Sequence, residues 1–252
     1  MVLEEYKNYF TDVYETDSLT VAVCNAEANR VQLSDMPHEQ YEDLALYYGV
    51  RVPAMVNKTG IIAIHNSQLE MWDISVEQLK KDVWENMVKE YPAVLRTMDD
   101  VIYGIRDNSI ALEPEGTGMD EYVENDVMFV LSNRDNVQGA VYVFDEKIMK
   151  KIAEKLDSSL VILPSSIHET LIVREMEDMD MEYMRDMVRQ VNEISVRPEE
   201  CLSDEVYHYD RETGILSMVK FAQHEEEMLG VEEMHGQDCA GQSEGMVPCM
   251  MQ

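Results

Sequence analysis

The sequence lacks long apolar runs, paired cysteine motifs and a signal-peptide pattern. No stretch approaches the roughly 18 consecutive apolar residues that a transmembrane helix needs, and residues 1–6 (MVLEEY) have neither a basic start nor an apolar core. The four cysteines form no C-x-x-C pair, which excludes a zinc ribbon or a thioredoxin-like site and favours free thiols. We therefore predict a cytoplasmic protein that does not insert into a membrane.

Basic residues are also scarce. The chain has 20 lysines and arginines against 51 acidic residues, for a net charge of −31. Such a surface repels nucleic-acid phosphates and anionic membranes, so we expect no direct nucleic-acid binding. An alternative is an acidic nucleic-acid mimic that occupies the basic cleft of another protein. Residues 222–252 contain no lysine or arginine and are rich in methionine and glycine, and we predict a disordered acidic tail there.

Several catalytic and cofactor motifs are absent. The sequence contains no P-loop, no G-x-G-x-x-G after a strand and no H-E-x-x-H, so we expect neither a nucleotide cofactor nor a metal. His65, His168 and His208 lie on or beside predicted strands, but their spacing does not match a metal site. These absences leave enzymatic activity uncertain and favour a protein that is not an enzyme.

The hydrophobic pattern predicts an α+β fold, with an antiparallel β-sheet built from hairpins or a meander and about three amphipathic helices packed on it. The first helix begins at the N-cap Ser75, presents an apolar residue every fourth position and ends at Pro92. Two more helices are predicted after Asp145 and over residues 180–194, the last with Met184, Met187, Val188 and Val191 facing inward. Strands are predicted at 19–23, 41–52, 61–65, 127–131, 160–163, 171–173, 206–210 and 215–221.

The same pattern predicts the domain organisation. Residues 1–18 form a short N-terminal segment, and residues 19–221 form a single α+β domain that can divide into sub-layers at 19–105 and 127–221. Residues 222–252 are the predicted tail. At 252 residues the chain is long enough to bury a core without disulfides or metal.

The densest polar cluster lies in the turn between the strands predicted at 160–163 and 171–173. It contains Ser165, Ser166, His168 and Glu169, which could support nucleophilic catalysis if a hydroxyl lay within hydrogen-bonding distance of the imidazole. However, the serines are not part of a G-x-S-x-G elbow, and no glycine is near them. The alternative is a structural turn in which the hydroxyls bind backbone groups.

Several short segments, taken in order, resemble domain-of-unknown-function family 5688, a group of uncharacterised bacterial proteins. The segments are 65–72 (HNSQLEMW), 131–133 (LSN), 139–140 (GA), 162–169 (ILPSSIHE), 187–192 (MVRQVN) and 202–211 (LSDEVYHYDR). The resemblance spans roughly residues 19–216 and implies no activity. Members usually carry a longer N-terminal region, so the resemblance implies a shortened one here. It draws attention to polar residues where predicted strands end or turn, and these are candidate binding residues: His65, Asn66, Asn133, Ser203 and Asp204.

Taken together, the sequence predicts a non-enzymatic protein that binds another macromolecule, with a protein as the expected partner. The first alternative is a hydrolase that uses Ser165 or Ser166 with His168, and the second is the nucleic-acid mimic. The oligomeric state is not predicted.

Overall fold

Two antiparallel sheets and the helices packed on them make up the described part of the chain. The computed structural model describes residues 14–54, 58–103, 110–111, 126–164 and 166–221. Ser165, most of the predicted N-terminal segment and the predicted tail at 222–252 lie outside these residues. The described residues up to Lys220 belong to one compact unit. Among the described helices, none is long and apolar enough to cross a membrane.

The first sheet is organised around one long strand, β3 (Leu44–Ala54). The strand β1 (Leu19–Asn25) pairs with the first part of β3 along one side. On the other side two short strands lie in tandem, β2 (His38–Tyr41) and β4 (Lys58–Ala63). Because β1 pairs with β3 and not with β2, this sheet is not a simple sequential meander.

The second sheet has seven strands among the described residues. They are β5 (Ala93–Thr97), β6 (Ile110–Ala111), β7 (Met128–Asn133), β8 (Leu160–Leu163), β9 (Thr170–Arg174), β10 (Tyr207–Tyr209) and β11 (Leu216–Met218). Their order across the sheet is β11–β10–β8–β9–β7–β5–β6, and every pair is antiparallel. Strands β8 and β9 form the predicted hairpin, and the turn that joins them carries the predicted catalytic cluster.

The helices lie where the capping signals placed them, with several short additions. The described helices are α1 (Arg30–Leu33), α2 (Asn66–Trp72), α3 (Val76–Glu90), α4 (Met98–Tyr103), a 3-10 helix (Gly139–Phe144), α5 (Glu146–Leu156) and α6 (Met181–Ser195). The Ser75 hydroxyl accepts a hydrogen bond from the Gln78 N–H at the start of α3, at 3.2 Å. The Asp145 carboxylate accepts two backbone N–H groups at the start of α5, and Asp180 accepts one at the start of α6. Each such cap stabilises a helix by about 1 kcal/mol.

The second sheet has a hydrophobic cluster on each of its faces. The side chains of β8 alternate between them: Leu160 and Ile162 join the main core, while Val161 and Leu163 join a smaller cluster that contains Val188 of α6. Both faces of β8 are therefore covered, which explains its continuous apolar sequence. Leu79, Val83 and Met87 of α3 are fully buried in the main core, as the four-residue spacing predicted.

The predicted α+β class with antiparallel sheets is confirmed, but the predicted inward orientation of one residue in α6 is wrong. Val188 of α6 is buried as predicted, but Val191 is 47% exposed. The position that turns inward instead is Asn192, because its amide donates hydrogen bonds to Ser203 O and Asp204 Oδ1. The two acceptors bind the amide N–H groups, whereas Asn192 Oδ1 is buried and accepts no hydrogen bond from a described residue. The apolar period alone does not reveal a buried polar position of this kind.

Candidate functional site

His168 lies in the β8–β9 turn with both ring nitrogens engaged. Its Nδ1 accepts a hydrogen bond from the backbone N–H of Gln138 at 3.3 Å, and its Nε2 lies 3.1 Å from Glu200 Oε1. Because a backbone N–H can only donate, Nδ1 carries no proton in this contact, and the proton of the neutral ring is on Nε2. The imidazole is thus oriented between a backbone donor and a carboxylate.

Glu200 is the acceptor that orients this ring. Its carboxylate forms a two-point ion pair with the Arg197 guanidinium, including an Nε–Oε2 distance of 3.0 Å. Hydrogen bonding from Arg197, and to a smaller extent from His168, lowers the pKa of Glu200. The side chain of Glu200 is 17% exposed. It is therefore an anion held in a fixed position against His168.

The backbone of His168 is bound as closely as its ring. Its carbonyl oxygen accepts hydrogen bonds from Ser132 Oγ at 2.8 Å and from the Gly139 N–H at 2.9 Å. A methyl group at Gly139 would lie 2.6 Å from the Ser132 Cα and 2.8 Å from the His168 carbonyl oxygen, and closer still to Ser132 Oγ. Only glycine fits without displacing these groups, because real Cβ contacts do not fall below 3.0 Å.

Asn133 organises the adjoining loop. Its Nδ2 donates to Val137 O at 2.7 Å, and its Oδ1 accepts the N–H groups of Asp135 and Val137. The residue is 1% exposed. These hydrogen bonds close the loop that leads to Gln138 and Gly139, so Asn133 positions the backbone that holds His168.

The hydroxyl of Ser166 is directed to the backbone and not to the imidazole. Ser166 Oγ accepts a hydrogen bond from the His168 N–H at 3.1 Å, which is a short serine turn. Catalysis would instead require this oxygen to donate to a ring nitrogen. Glu169 lies beside the turn and is partly buried, and Ser165 lies outside the described residues.

Ser203 and Asp204 belong to a second polar cluster. Ser203 Oγ donates to Asp43 Oδ2 at 2.7 Å, and the Tyr207 hydroxyl donates to Asp43 Oδ1. Burial, followed by the hydrogen bond to Asp43, raises the pKa of Tyr207, so its hydroxyl remains a donor. Asn192 donates to Ser203 O and to Asp204. Since Asp43 lies in the β2–β3 turn and Tyr207 in β10, this cluster joins the two sheets.

His65 and Asn66 lie at the start of α2. His65 Nδ1 is 3.0 Å from Asp35 Oδ2, and the His65 N–H donates to Gln68 Oε1 at 2.8 Å. The Asn66 N–H donates to the Asp35 carbonyl oxygen at 3.0 Å. The described contacts of both residues therefore fix a helix terminus. Among the described residues, no group of three His, Cys, Asp or Glu side chains is arranged to hold a metal.

An open groove that the sequence did not predict lies between the first sheet, α3 and the start of α5. It encloses about 610 Å³. Its apolar lining comes from Tyr41, Leu46, Trp84, Val88 and Phe144. The rings of Tyr41 and Phe144 lie 4.8 Å apart between centroids. The charged lining comes from Glu39, Lys80, Glu85, Asp145, Glu146 and Lys147.

A partly buried carboxylate forms one wall of this groove. Glu39 accepts hydrogen bonds from Lys80 Nζ at 2.6 Å, from the Tyr48 hydroxyl and from the Tyr41 hydroxyl at 3.3 Å. Burial acts to raise the pKa of Glu39, but the hydrogen bonds from Lys80 and Tyr48 outweigh it and lower the pKa. Glu39 is thus a preformed anion in an aromatic setting.

Comparison with known proteins gives the family of this chain and no activity. The chain belongs to a family of unknown function, DUF5688, whose model matches residues 4–211. The resemblance seen in the sequence is therefore confirmed. No curated protein and no solved structure matches the chain. Three of the segments that carry the resemblance, 131–133, 139–140 and 162–169, meet around His168.

Proposed function

We propose that this protein binds a basic, partly apolar segment of a partner protein in the groove between the first sheet, α3 and the start of α5. The proposal rests on one observation, the combination of an aromatic lining with an acidic rim in a groove of about 610 Å³. That volume lies within the range typical of ligand sites. This function is the protein-binding hypothesis from the sequence, with a location added.

The aromatic lining supports side-chain recognition. Tyr41 is 37% exposed and Val88 is 43% exposed, and Trp84 is partly buried and packs against the main core. Exposed tyrosine and tryptophan side chains supply large contact areas with little loss of entropy and dominate the binding energy of many interfaces. Their ring faces also attract lysine and arginine side chains. The lining therefore suits a segment with both apolar and cationic groups.

The charges on the rim favour a basic segment over an acidic one. Four carboxylates, from Glu39, Glu85, Asp145 and Glu146, face two ammonium groups. The whole chain carries a net charge of −31. An excess of one sign accelerates the approach of an oppositely charged partner and disfavours partners of like charge.

Lys80 occupies the position in which a cation of the partner would bind. Its ammonium group is 2.6 Å from Glu39 Oε2, and its side chain is 45% exposed. Ion pairs with this degree of exposure contribute only about 0.2–1 kcal/mol, so an incoming guanidinium group can replace Lys80 at little cost. Replacing Lys80 with methionine should therefore strengthen the binding of a basic peptide by about three- to tenfold.

Fluorescence anisotropy with two labelled peptides of equal length tests the proposal. One peptide alternates arginine with leucine, and the other alternates glutamate with leucine. We expect binding of the first only, and we expect Trp84→Ala or Val88→Lys to weaken it by about tenfold or more. Glu182→Gln, at an exposed position in the first turn of α6, is the charge-matched control for Glu146→Gln.

The outcomes distinguish binding of the peptide in the groove from general electrostatic attraction to the acidic surface. If Glu182→Gln and Glu146→Gln weaken binding equally, and Trp84→Ala has no additional effect, then net charge alone attracts the peptide and the groove is not the site. If the glutamate–leucine peptide binds and Lys80→Met abolishes its binding, then Lys80 contacts an anionic ligand and the proposed preference for a basic segment is wrong. Circular dichroism of each variant confirms that the fold is retained.

A further inference from the structure

Helix α6 carries a second apolar stripe on the side that faces away from its core cluster. Val188 packs in the smaller cluster and is 3% exposed, whereas Tyr183 is 60% exposed and Ile194 is 72% exposed. Val191 is exposed as well, and Met187 is half-buried. Single exposed apolar residues are normal on a protein surface, but a row of them along one helix face is typical of an interaction site.

The spacing of this stripe is that of a coiled-coil seam. Intervals of four, three and four residues separate Tyr183, Met187, Gln190 and Ile194. These are the intervals between the a and d positions of a heptad repeat, and we call the four residues the α6 seam. The buried residues of the helix, Val188 and Asn192, fall at b and f positions of the same repeat. One face of α6 therefore packs on the second sheet, and the seam points outward.

One flank of the α6 seam is acidic. Asp186 and Glu193 occupy the two g positions beside the seam, and both are exposed. The arginines of the helix, Arg185 and Arg189, lie farther around it, and each forms an ion pair with Glu205. In a coiled coil the charges at g positions border the neighbouring helix and select its identity and orientation. The seam therefore disfavours a helix that brings more negative charge.

These charges disfavour two occupants that the chain itself could supply. In an antiparallel pair of α6 helices the g positions face each other, so Asp186 and Glu193 would meet the same acids of a second copy. In a parallel pair they would face the e positions, where Met184 and Val191 cannot compensate a carboxylate. Residues 222–252 contain seven acids and no lysine or arginine, so they would also be repelled. A helix with cations beside its apolar positions has neither disadvantage.

We infer that α6 binds an amphipathic helix of a partner protein, with the partner's apolar side chains on the α6 seam and its lysines or arginines beside Asp186 and Glu193. The site is separate from the aromatic groove, because none of the described residues that line the groove belongs to α6. The ligand also differs, because the seam requires apolar residues in heptad order. A seam of about three helical turns gives a small interface, so the complex is transient.

Fluorescence anisotropy with three labelled peptides of about three heptads each tests the inference on the full chain. The lysine peptide has leucine at a and d and lysine at e and g. The glutamate peptide has glutamate in place of every lysine, and the scrambled peptide has the composition of the lysine peptide without its heptad order. We expect the lysine peptide to bind at least about tenfold more tightly than the scrambled peptide, and the glutamate peptide not to bind.

Substitutions at exposed positions locate the bound peptide. Ile194→Lys should weaken binding of the lysine peptide by about tenfold or more, because it places a cation within the apolar seam. Val31→Lys, at a position of α1 that is 78% exposed, is the matched control for the added charge. Glu193→Lys should weaken binding by about two- to threefold relative to Glu182→Lys, which makes the same change at an exposed c position of α6.

Reversing both charges of the acidic flank gives the sharpest readout. The double variant Asp186→Lys with Glu193→Lys should bind the glutamate peptide and no longer bind the lysine peptide, because the flank then has the opposite sign. A general loss of folding would not produce this gain, and circular dichroism confirms that the fold of each variant is retained.

Several results would overturn the inference. A lysine peptide that does not bind at up to about 1 mM would do so, as would equal binding of the lysine and scrambled peptides, or an Ile194→Lys effect no larger than that of Val31→Lys. Self-association in analytical ultracentrifugation that Ile194→Lys abolishes would make a second copy the occupant. An Ile194→Cys variant that forms a disulfide with Cys239 or Cys249 faster than Val31→Cys does would make the chain's own C-terminal segment the occupant.

The seam and the groove fail or succeed separately. Trp84→Ala should leave binding of the lysine peptide unchanged, and Ile194→Lys should leave binding of the arginine–leucine peptide in the groove within the effect of Val31→Lys. Loss of both peptides in either variant would mean that the two peptides share one site.

Discussion

Replacing Gly139 with alanine should destabilise the protein severely. The added methyl group would lie 2.6 Å from Ser132 Cα and 2.8 Å from the His168 carbonyl oxygen, so β7 or the His168 turn must move. Overpacking of this kind costs about 1–3 kcal/mol, and the two hydrogen bonds to the His168 carbonyl contribute about 1 kcal/mol each. We expect the free energy of unfolding to fall by about 3–5 kcal/mol. This is a large part of the total for a typical domain, which is about 5–15 kcal/mol.

Urea unfolding followed by tryptophan fluorescence measures this loss, and Gly214→Ala is the matched control. Gly214 has φ +71°, and its nearest contact for an added methyl is 3.6 Å, from the Tyr209 hydroxyl. The Gly214→Ala control therefore has backbone strain without a clash, and its free energy of unfolding should fall by about 1–2 kcal/mol. If Gly139→Ala loses no more than Gly214→Ala, the close packing of the His168 turn against β7 is not what stabilises this region.

Three further outcomes are expected. Arg51 is buried, its Nε donates to Thr20 Oγ1 at 3.1 Å, and its guanidinium lies 3.7 Å from the centre of the Tyr91 ring. Its Nη2 forms no hydrogen bond with a described residue. Arg51→Met should therefore change the free energy of unfolding by less than about 1 kcal/mol, whereas Arg51→Ala, which leaves a void, should lose about 2–4 kcal/mol by urea unfolding. Since burial raises the pKa of Cys24 from 9.0 to about 11, its alkylation rate should keep rising tenfold per pH unit between pH 8 and 10, and a plateau near pH 9 would contradict the shift. Wild-type protein should not hydrolyse p-nitrophenyl acetate above background. A measurable rate that both Ser166→Ala and His168→Ala abolish would establish the hydrolase alternative instead.

The longer elements could be predicted from the sequence because each has its own local signal. Ser75 and Asp145 cap helices in the structure as predicted, since a cap requires only one side chain near its own backbone. Strand β2 was missed because its sequence, HEQY, has no apolar residue except a half-exposed tyrosine. It forms as a strand through pairing with β3, and pairing between segments leaves no local pattern.

The sites were harder to predict than the fold. The turn around His168 was recognised by its composition, but its partners Gln138 and Glu200 lie in segments with no distinguishing motif. The groove was not predicted, because Tyr41, Trp84 and Phe144 come from three separate elements and each resembles an ordinary core residue in sequence. Such a site exists only after the elements have packed.

The long strand β3 separates the aromatic groove from a smaller cavity of about 200 Å³ on its other face. Leu46 lines the groove and Tyr47 lines the cavity, and consecutive residues of a strand point to opposite faces. A substitution that shifts β3 therefore changes the groove and the cavity together. A variant on either face of this strand therefore needs an unfolding measurement and a check for an effect on the opposite face.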